Sequence, residues 1–165
     1  MNREETVTRF LENAGRAAAG ARLVEDRREL PRLLSELVPE GAAVYCPARS
    51  DLEREVLCAF SRRVDDYASA EVTVEEVLAG IAETGSIVCA SLEGRAVQAS
   101  VLPSRHVALL PAEKIFPTLD EFFAAHAASP PTNLVVITGP SRTADIELTL
   151  AIGVHGPERL DVLVI

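Results

Sequence analysis

The sequence predicts an α/β domain with an open, largely parallel sheet and helices on both faces. Short, continuous apolar runs, which are typical of strands covered on both faces, alternate with amphipathic stretches typical of helices. This alternation favours βαβ crossovers, in which a helix connects two parallel strands. The 165 residues are also the size of one ordinary domain, which buries roughly 70% of the surface of its unfolded chain.

The first 38 residues are expected to form an N-terminal helical part of this single domain. Good helix formers over residues 3–19 predict a helix that is stopped by Gly20. Residues 28–37 predict a second helix, because their leucines recur at three- and four-residue spacings. Pro39-Glu40-Gly41 interrupts this pattern, so residues 42–165 are predicted to form the α/β core.

The core is predicted to contain alternating strands and helices. Strands are expected at residues 42–46, 85–90, 106–110, 134–138 and 160–165, with a weaker candidate at 64–67. Helices are expected at residues 51–60, 73–79, 118–127 and 143–152. The helices at 73 and 118 are predicted because each begins with a threonine followed three residues later by glutamate, the pattern of an N-terminal capping box.

Composition excludes two kinds of partner. A net charge of −9 with scattered basic residues, and only seven aromatic residues without tryptophan, argue against binding of nucleic acid. The sequence has no apolar run of about 18 residues that could cross a membrane, and its charged start lacks the apolar stretch of a secretory signal. We therefore expect a cytoplasmic protein that binds neither nucleic acid nor membranes.

The cysteines and histidines predict no metal centre or cluster on this chain. Cys46, Cys58 and Cys89 form no C-x-x-C pair and are one too few for a four-cysteine iron–sulfur cluster, so we expect reduced, buried thiols. The three histidines do not stand at metal-ligand spacing, and no H-E-x-x-H motif occurs.

The stretch T-G-P-S-R-T-A-D at residues 138–145 is the main candidate site. It follows a predicted strand and begins a predicted helix, the place where open α/β sheets bind ligands. A helix N-terminus favours an anion, and Arg142 could hold a carboxylate or phosphate in a bidentate contact. Alternatively, Ser141 or Thr143 is simply the N-cap of the helix, and Asp145 complements its dipole.

Two further turns are candidates for function. Glu83, Thr84 and Gly85 place a carboxylate and a hydroxyl beside a flexible glycine, although the turn could equally be a helix exit with Gly85 in a left-handed conformation. His155 lies in the turn at residues 153–157, which we expect at the opposite edge of the sheet from Gly139, where a structural or interface role is favoured.

Five motifs together resemble the LutC/YkgG group of the lactate-utilization (LUD) domain family. They are A-E-T-G-S at 82–86, S-V-L-P at 100–103, F-P-T-L-D-E at 116–121, T-G-P-S-R-T-A-D-I-E at 138–147 and G-V-H-G-P at 153–157. The resemblance implies a fold like that of the NagB/RpiA/CoA-transferase superfamily. It also implies a role in oxidising L-lactate to pyruvate alongside partner subunits that carry iron–sulfur clusters. The chain departs from the family at Leu78, where an acidic residue is frequent.

The resulting hypothesis is a subunit of an L-lactate utilization system that has no cluster of its own. Its catalytic residues are unknown, and its predicted substrate-binding residues are Glu83, Thr84, Gly85, Gly139, Ser141, Arg142, Thr143, Asp145 and Glu147. One alternative is a stand-alone isomerase or acyl-transfer enzyme that uses Glu83, Asp145 or Glu147 as base or nucleophile. Another is a regulatory module that binds a small carboxylate or phosphate. Homodimer formation is left open.

Overall fold

A computed structural model describes residues 2–92, 94–143, 151–152 and 156–165, and for residues 143, 151 and 152 it describes only the backbone. The α-helices in these ranges are α1 (Arg3–Arg16), α2 (Leu30–Leu37), α3 (Asp51–Val56) and α4 (Leu119–His126). The strands are β1 (Gly20–Leu23), β2 (Val44–Tyr45), β3 (Arg63–Val64), β4 (Val72–Glu76), β5 (Ala79–Ile81), β6 (Ser86–Ala90), β7 (Arg105–Leu110), β8 (Ile115–Phe116), β9 (Leu134–Ile137), β10 (Arg142–Thr143), β11 (Ala151–Ile152) and β12 (Arg159–Val164). None of the described helices is long and apolar enough to cross a membrane.

Six strands form the main sheet in the order β1-β12-β7-β4-β2-β3, and every neighbouring pair in it is parallel. Successive residues of a strand point to opposite faces, so Ala108 and Leu110 of β7 lie in one apolar cluster and Val107 and Leu109 in another. The predicted α/β fold with a largely parallel sheet and helices on both faces is therefore confirmed.

The two faces of the main sheet are covered by different elements. On one face, α2 and α3 bury Leu34 and Val56 against the sheet. On the other face, α1 packs together with a second sheet and buries Phe10 completely. The outer face of the second sheet is covered by Phe122 of α4. Each fully buried side chain of this size stabilises the fold by roughly 1.5–3 kcal/mol.

The second sheet has the strand order β8-β5-β6-β9. In it β6 is antiparallel to both β5 and β9, and β5 is parallel to β8. The strands predicted at residues 85–90 and 134–138 thus exist but lie outside the main parallel sheet. The reason is the short turn between β5 and β6, because a connection of a few residues can only join antiparallel strands.

The helix predicted over residues 73–79 is wrong, since this region contains β4, which lies between β7 and β2 in the main sheet. Val72 and Val74 fill one face of the sheet, while Thr73 and Glu75 point to the other. Burial of β-branched side chains on a pleated surface outweighs the local capping-box pattern.

The helix predicted over residues 143–152 is wrong at both of its ends. Arg142–Thr143 forms β10, which pairs antiparallel with β11, Ala151–Ile152. The described residues 141–143, where the N-terminus of this helix was predicted to bind an anion, therefore contain no helix N-terminus. Residues 144–150 lie outside the described residues.

The N-terminal part is not entirely helical, because β1 lies within it and pairs with β12 near the other end of the chain. Helix α1 ends at Arg16, earlier than predicted, and Ala18 takes the left-handed conformation with a φ of 63°. Gly20 begins β1 instead of stopping the helix. A Cβ there would lie 2.3 Å from Oδ1 of Asp161, so the glycine lets β1 approach β12.

Candidate functional site

Two of the predicted site glycines pack against the C-terminal end of α1. Gly85 has a φ of +66°, and a Cβ on it would lie 2.0 Å from the backbone nitrogen of Ala14. Gly139 has a φ of +76°, and a Cβ on it would lie 2.0 Å from the carbonyl oxygen of Ala17. The left-handed conformation considered for Gly85 is confirmed, although the turn joins two strands. Both positions require glycine for backbone packing.

The two predicted halves of the site, residues 83–85 and 138–142, do meet. Because Ile87 pairs with Ile137 in antiparallel strands, the turn before β6 and the segment after β9 lie at the same end of the second sheet. The Ser86 hydroxyl lies 2.6 Å from that of Thr84 and 2.7 Å from that of Thr138. We call residues 83–86 and 138–142 together the glycine turns.

Glu83 has a structural partner in the neighbouring helix. Its Oε1 accepts a hydrogen bond of 2.8 Å from the backbone N–H of Leu119, in the first turn of α4. Its carbonyl oxygen accepts another, of 3.1 Å, from the side-chain amide of Asn13. A carboxylate at a helix N-terminus satisfies an unpaired N–H and complements the helix dipole.

Ser141 and Arg142 also contact backbone. The Arg142 guanidinium donates to the Ala17 carbonyl at 3.2 Å, at the negative end of the α1 dipole. The Ser141 N–H donates to the Pro157 carbonyl at 2.8 Å, and the Ser141 Cβ lies 3.3 Å from the position that a Cβ on Gly156 would occupy. For Gly156 and Pro157, the prediction that this turn lies at the opposite edge of the sheet from Gly139 is therefore wrong, because both lie beside Ser141. Residues 153–155 lie outside the described residues.

The remaining predicted residues lie at or beyond the limit of the described chain. For Thr143 only the backbone is described, and Asp145, Glu147 and His155 lie outside the described residues. The assignment of the glycine turns to substrate binding stays a prediction.

A separate cavity of about 250 Å³ opens at the carboxyl end of β4, and we call it the β4 cavity. Ligands in open α/β folds bind beyond the carboxyl ends of the strands. Its charged and thiol lining consists of Arg49, Glu75, Glu76, Cys89, Arg95 and Lys114. Leu78, the position at which the chain departs from the family's frequent acid, lines it as well.

A buried ion pair supports the cavity. Glu53 has no exposed side-chain surface, and its two oxygens accept from the two terminal nitrogens of Arg95 at 2.5 and 3.1 Å. The same carboxylate accepts from the backbone N–H groups of Arg49 at 2.7 Å and Glu76 at 2.8 Å. Burial by itself lowers the pKa of Arg95, but the Glu53 carboxylate raises it above its ordinary value. Glu53 thus holds the strand end, the Arg49 backbone and the Arg95 guanidinium together.

The other two cations of the cavity differ in their partners. Lys114 Nζ lies 2.5 Å from Oε1 of Glu76. Burial by itself raises the pKa of the Glu76 carboxyl, but hydrogen bonds from Lys114 and Ser50 hold it below its ordinary value. The Arg49 guanidinium, beside Gly94, makes no ion pair with any residue that the structure describes. Arg49 thus differs from Arg95 and Lys114, each of which pairs with a carboxylate.

A polar cluster lies between the two sheets behind the cavity. The Ser100 hydroxyl donates to Glu75 Oε1 at 2.5 Å, and His106 Nε2 lies 3.2 Å from the same oxygen. Burial by itself raises the pKa of the Glu75 carboxyl, but His106, Ser100 and Arg95 hold it below its ordinary value. Glu75, Cys89 and His106 are buried, with potential ligand atoms all within 4.8 Å of one another, so among the described residues these three could hold a metal ion.

The three cysteines have different environments, which corrects the expectation of three buried thiols. Cys89 is buried, Cys46 is partly buried and Cys58 is exposed. Burial raises the pKa of the Cys46 thiol to about 12, and it also raises that of Cys89. These two thiols therefore stay protonated at neutral pH in the absence of a metal, and a protonated thiol is a poor nucleophile.

The residues of the β4 cavity are absent from the predicted site, although one sequence signal marks part of it. Ser50-Asp51-Leu52-Glu53 is a capping box in which Ser50 accepts from the Glu53 N–H and the Glu53 carboxylate accepts from the Ser50 N–H. That pattern could have located α3. The hydrogen bond from Arg95 to Glu53, 42 residues away, could not be predicted from any local sequence pattern.

A profile of the LUD domain matches residues 61–165. Lactate utilization protein C of Halalkalibacterium halodurans is 31% identical over 110 residues, 63% of this chain and 48% of that protein. Its counterpart from Bacillus subtilis is 33% identical over 98 residues, 56% of this chain and 40% of that protein. An uncharacterized protein of Neisseria meningitidis serogroup B is 32% identical over 147 residues, 82% of this chain and 61% of that protein. The chain thus spans two fifths to three fifths of the length of these relatives.

The fold is also that of a solved relative. The crystal structure of a DUF162 family protein from Deinococcus radiodurans superposes with a TM-score of 0.76 at 23% identity, covering 99% of this chain and 98% of that one. The profile match covers well over half of the chain and includes all five motifs and the strand β12. This chain belongs to the LUD domain family.

Proposed function

We propose that this protein takes part in L-lactate utilization, that it binds a small carboxylate in the β4 cavity, and that it acts with partner subunits that carry iron–sulfur clusters. The relatives named lactate utilization protein C support the process. The observation that carries the binding proposal is the position of three cationic side chains, Arg49, Arg95 and Lys114, around one cavity at the carboxyl end of β4.

Three carboxylates and three cations surround the cavity, but in the described part of the chain they form only two ion pairs with one another. The third carboxylate, Glu75, accepts from Ser100 and lies beside His106. Arg49 therefore has no ion pair among the described residues and favours an anionic ligand. Arg95 is neutralised by Glu53, and Lys114 by Glu76. Arg49 remains, with a planar guanidinium that suits the two oxygens of a carboxylate. Because Leu78 stands in the lining where an acidic residue is frequent in the family, the cavity has one carboxylate fewer, and an anion there is repelled less.

The redox step is assigned to partner subunits. Cys46, Cys58 and Cys89 belong to different elements and differ in burial, and three cysteines are one too few for a cluster held by four thiolates. In this proposal the clusters that accept electrons from lactate oxidation lie on other chains, and this protein supplies a binding site within the assembly.

Ligand binding is tested by comparing two arginines. L-Lactate or pyruvate at about 100 times its dissociation constant should stabilise the purified protein by roughly 2.7 kcal/mol in thermal unfolding. We expect Arg49→Gln to weaken binding about tenfold, the cost of a charge-assisted contact, and Arg142→Gln to leave it unchanged.

The opposite pattern, in which Arg142→Gln alone abolishes the shift, would place the carboxylate at the glycine turns. The absence of a shift with either acid would contradict carboxylate binding by the isolated protein.

The role in lactate utilization is tested separately. Deletion of the gene should prevent growth on L-lactate as sole carbon source, and the protein should co-purify with cluster-bearing partners. Normal growth of the deletion strain, in the absence of a paralogue, would contradict the role in lactate utilization.

A further inference from the structure

Three side chains from different strands converge between the two sheets, directly behind the β4 cavity. They are Glu75 of β4, Cys89 of β6 and His106 of β7, all buried, with one potential ligand atom each and all of these atoms within 4.8 Å of one another. We propose that they bind one divalent transition-metal ion of the zinc class. This inference concerns a metal site and does not depend on the proposed carboxylate.

The imidazole of His106 points to a ligand. Its side chain is 1% exposed, yet neither ring nitrogen makes a hydrogen bond of acceptable geometry with the residues that the structure describes. Nε2 lies 3.2 Å from Glu75 Oε1, but the N–H direction does not align with that oxygen. Buried polar groups are almost always satisfied, and a metal ion on one nitrogen would use its lone pair.

The donor set and its charge suit such an ion. Imidazole, thiolate and carboxylate are the three ligand types that zinc takes in proteins, and the sulfur selects against magnesium and calcium. An ion of charge 2+ is neutralised by the Glu75 carboxylate and the Cys89 thiolate, so the site as a whole stays neutral when buried. On binding, the Cys89 thiol loses its proton to solvent and its sulfur forms the metal bond.

The geometry requires only a small closure. Ligands at about 2.0–2.3 Å from a tetrahedral ion stand about 3.3–3.8 Å apart, so the atoms need to approach by about 1 Å. Ser100 donates to Glu75 Oε1 and orients the carboxylate from outside the ligand set, as such partners commonly do. Glu75 and Cys89 both line the β4 cavity, so the fourth position of the ion would open into it.

Sequence spacing could not indicate this site. The three residues are far apart along the chain and reach one another only because β6, in the second sheet, packs over β4 and β7 of the main sheet. The expectation of no metal was based on motifs within single segments.

The test measures metal binding by the purified full chain without lactate. We expect about one Co²⁺ per chain in equilibrium dialysis, with the near-ultraviolet absorption band that a thiolate–cobalt bond produces, and displacement of the band by Zn²⁺. Cys89→Ser and Cys89→Ala should remove the band, and His106→Gln should weaken Co²⁺ binding at least about tenfold. Cys46→Ser and Cys58→Ser are the matched controls and should retain both band and affinity.

Stability gives a second readout that does not depend on the spectrum. Zn²⁺ should raise the melting temperature of the unaltered protein and of Cys58→Ser, but not that of Cys89→Ala, provided that circular dichroism shows that each variant is folded. Failure of the unaltered protein to bind Co²⁺, or a band that survives both Cys89 variants, would overturn the proposal.

Discussion

The glycine turns and the β4 cavity are both rich in polar residues, but their polar groups have different partners. In the glycine turns, the hydroxyls of Thr84, Ser86 and Thr138 bond to one another, while Glu83 caps α4 and Arg142 contacts the end of α1. In the β4 cavity, the buried pair of Glu53 and Arg95 holds the charged groups in place, and Arg49 lines the cavity without an ion pair to any described residue. A polar motif after a strand can thus serve packing, and the hydrogen-bond partners of its polar groups determine which of them remain available for a ligand.

Both regions depend on close approach to a neighbouring element, but through different interactions. Gly85 and Gly139 allow α1 to touch the backbone of the glycine turns. Glu53 instead ties the end of β4 to the loop before α3 and to Arg95 through five hydrogen bonds. Substitutions in the two regions should therefore differ in size and in readout.

The largest expected effect is in the β4 cavity. Glu53→Gln should lower the free energy of unfolding by about 3–5 kcal/mol, because it leaves the largely buried Arg95 guanidinium without its counter-charge. Urea denaturation measures this loss. The double variant Glu53→Gln/Arg95→Gln should recover part of it. A loss below about 1 kcal/mol in the single variant would show that this pair does not hold the cavity together.

In the glycine turns, Gly139→Ala should lower the free energy of unfolding by at least about 2 kcal/mol. A Cβ would be strained at a positive φ and would also collide with the Ala17 carbonyl. The matched control is Gly41→Ala, where φ is +74° but nothing lies within 4 Å of the added atom. Gly41→Ala should cost only about 1 kcal/mol, from strain alone. Equal losses at the two positions would contradict the close contact between α1 and Gly139.

The smallest effects separate the two arginines by stability. Arg142→Gln should cost about 0.5 kcal/mol in urea denaturation, because it removes an exposed hydrogen bond to the end of α1. Arg49→Gln should change stability by less than about 0.5 kcal/mol, since its guanidinium pairs with no described residue. A greater stability loss from Arg49→Gln than from Arg142→Gln would contradict this expectation and would assign Arg49 a structural role.

Local sequence patterns predicted helices and strands well where residues close in sequence make the hydrogen bonds that stabilise the element. The capping pattern at Thr118 is realised, since Thr118 accepts from the Glu121 N–H at 3.2 Å and α4 follows. The same pattern at residues 73–76 led to the wrong prediction of a helix, because this segment is the strand β4, which is buried on both faces between other strands. A pattern of four residues carries no information about which elements pack on it.

The candidate site was less predictable than the fold. The sequence brought residues 83–85 and 138–142 to attention, and the structure places them side by side, but their contacts with α1 depend on an element more than 60 residues away. Arg49, Arg95 and Lys114 have no common motif. They meet because the segments that follow β2, β6 and β7 line the same cavity.

Apolar runs and conformational preferences act over a few residues, so the sequence was sufficient to predict the fold class, the central strands β7 and β12, and the family. Contacts in the folded protein were needed to show that residues 72–76 are a strand, that β6 and β9 belong to a second sheet, and that Glu75, Cys89 and His106 meet between the sheets. Which strands pair and which charged groups are buried depends on contacts between distant parts of the chain. The energies of these contacts depend on how deeply the groups are buried and on their partners in the folded protein.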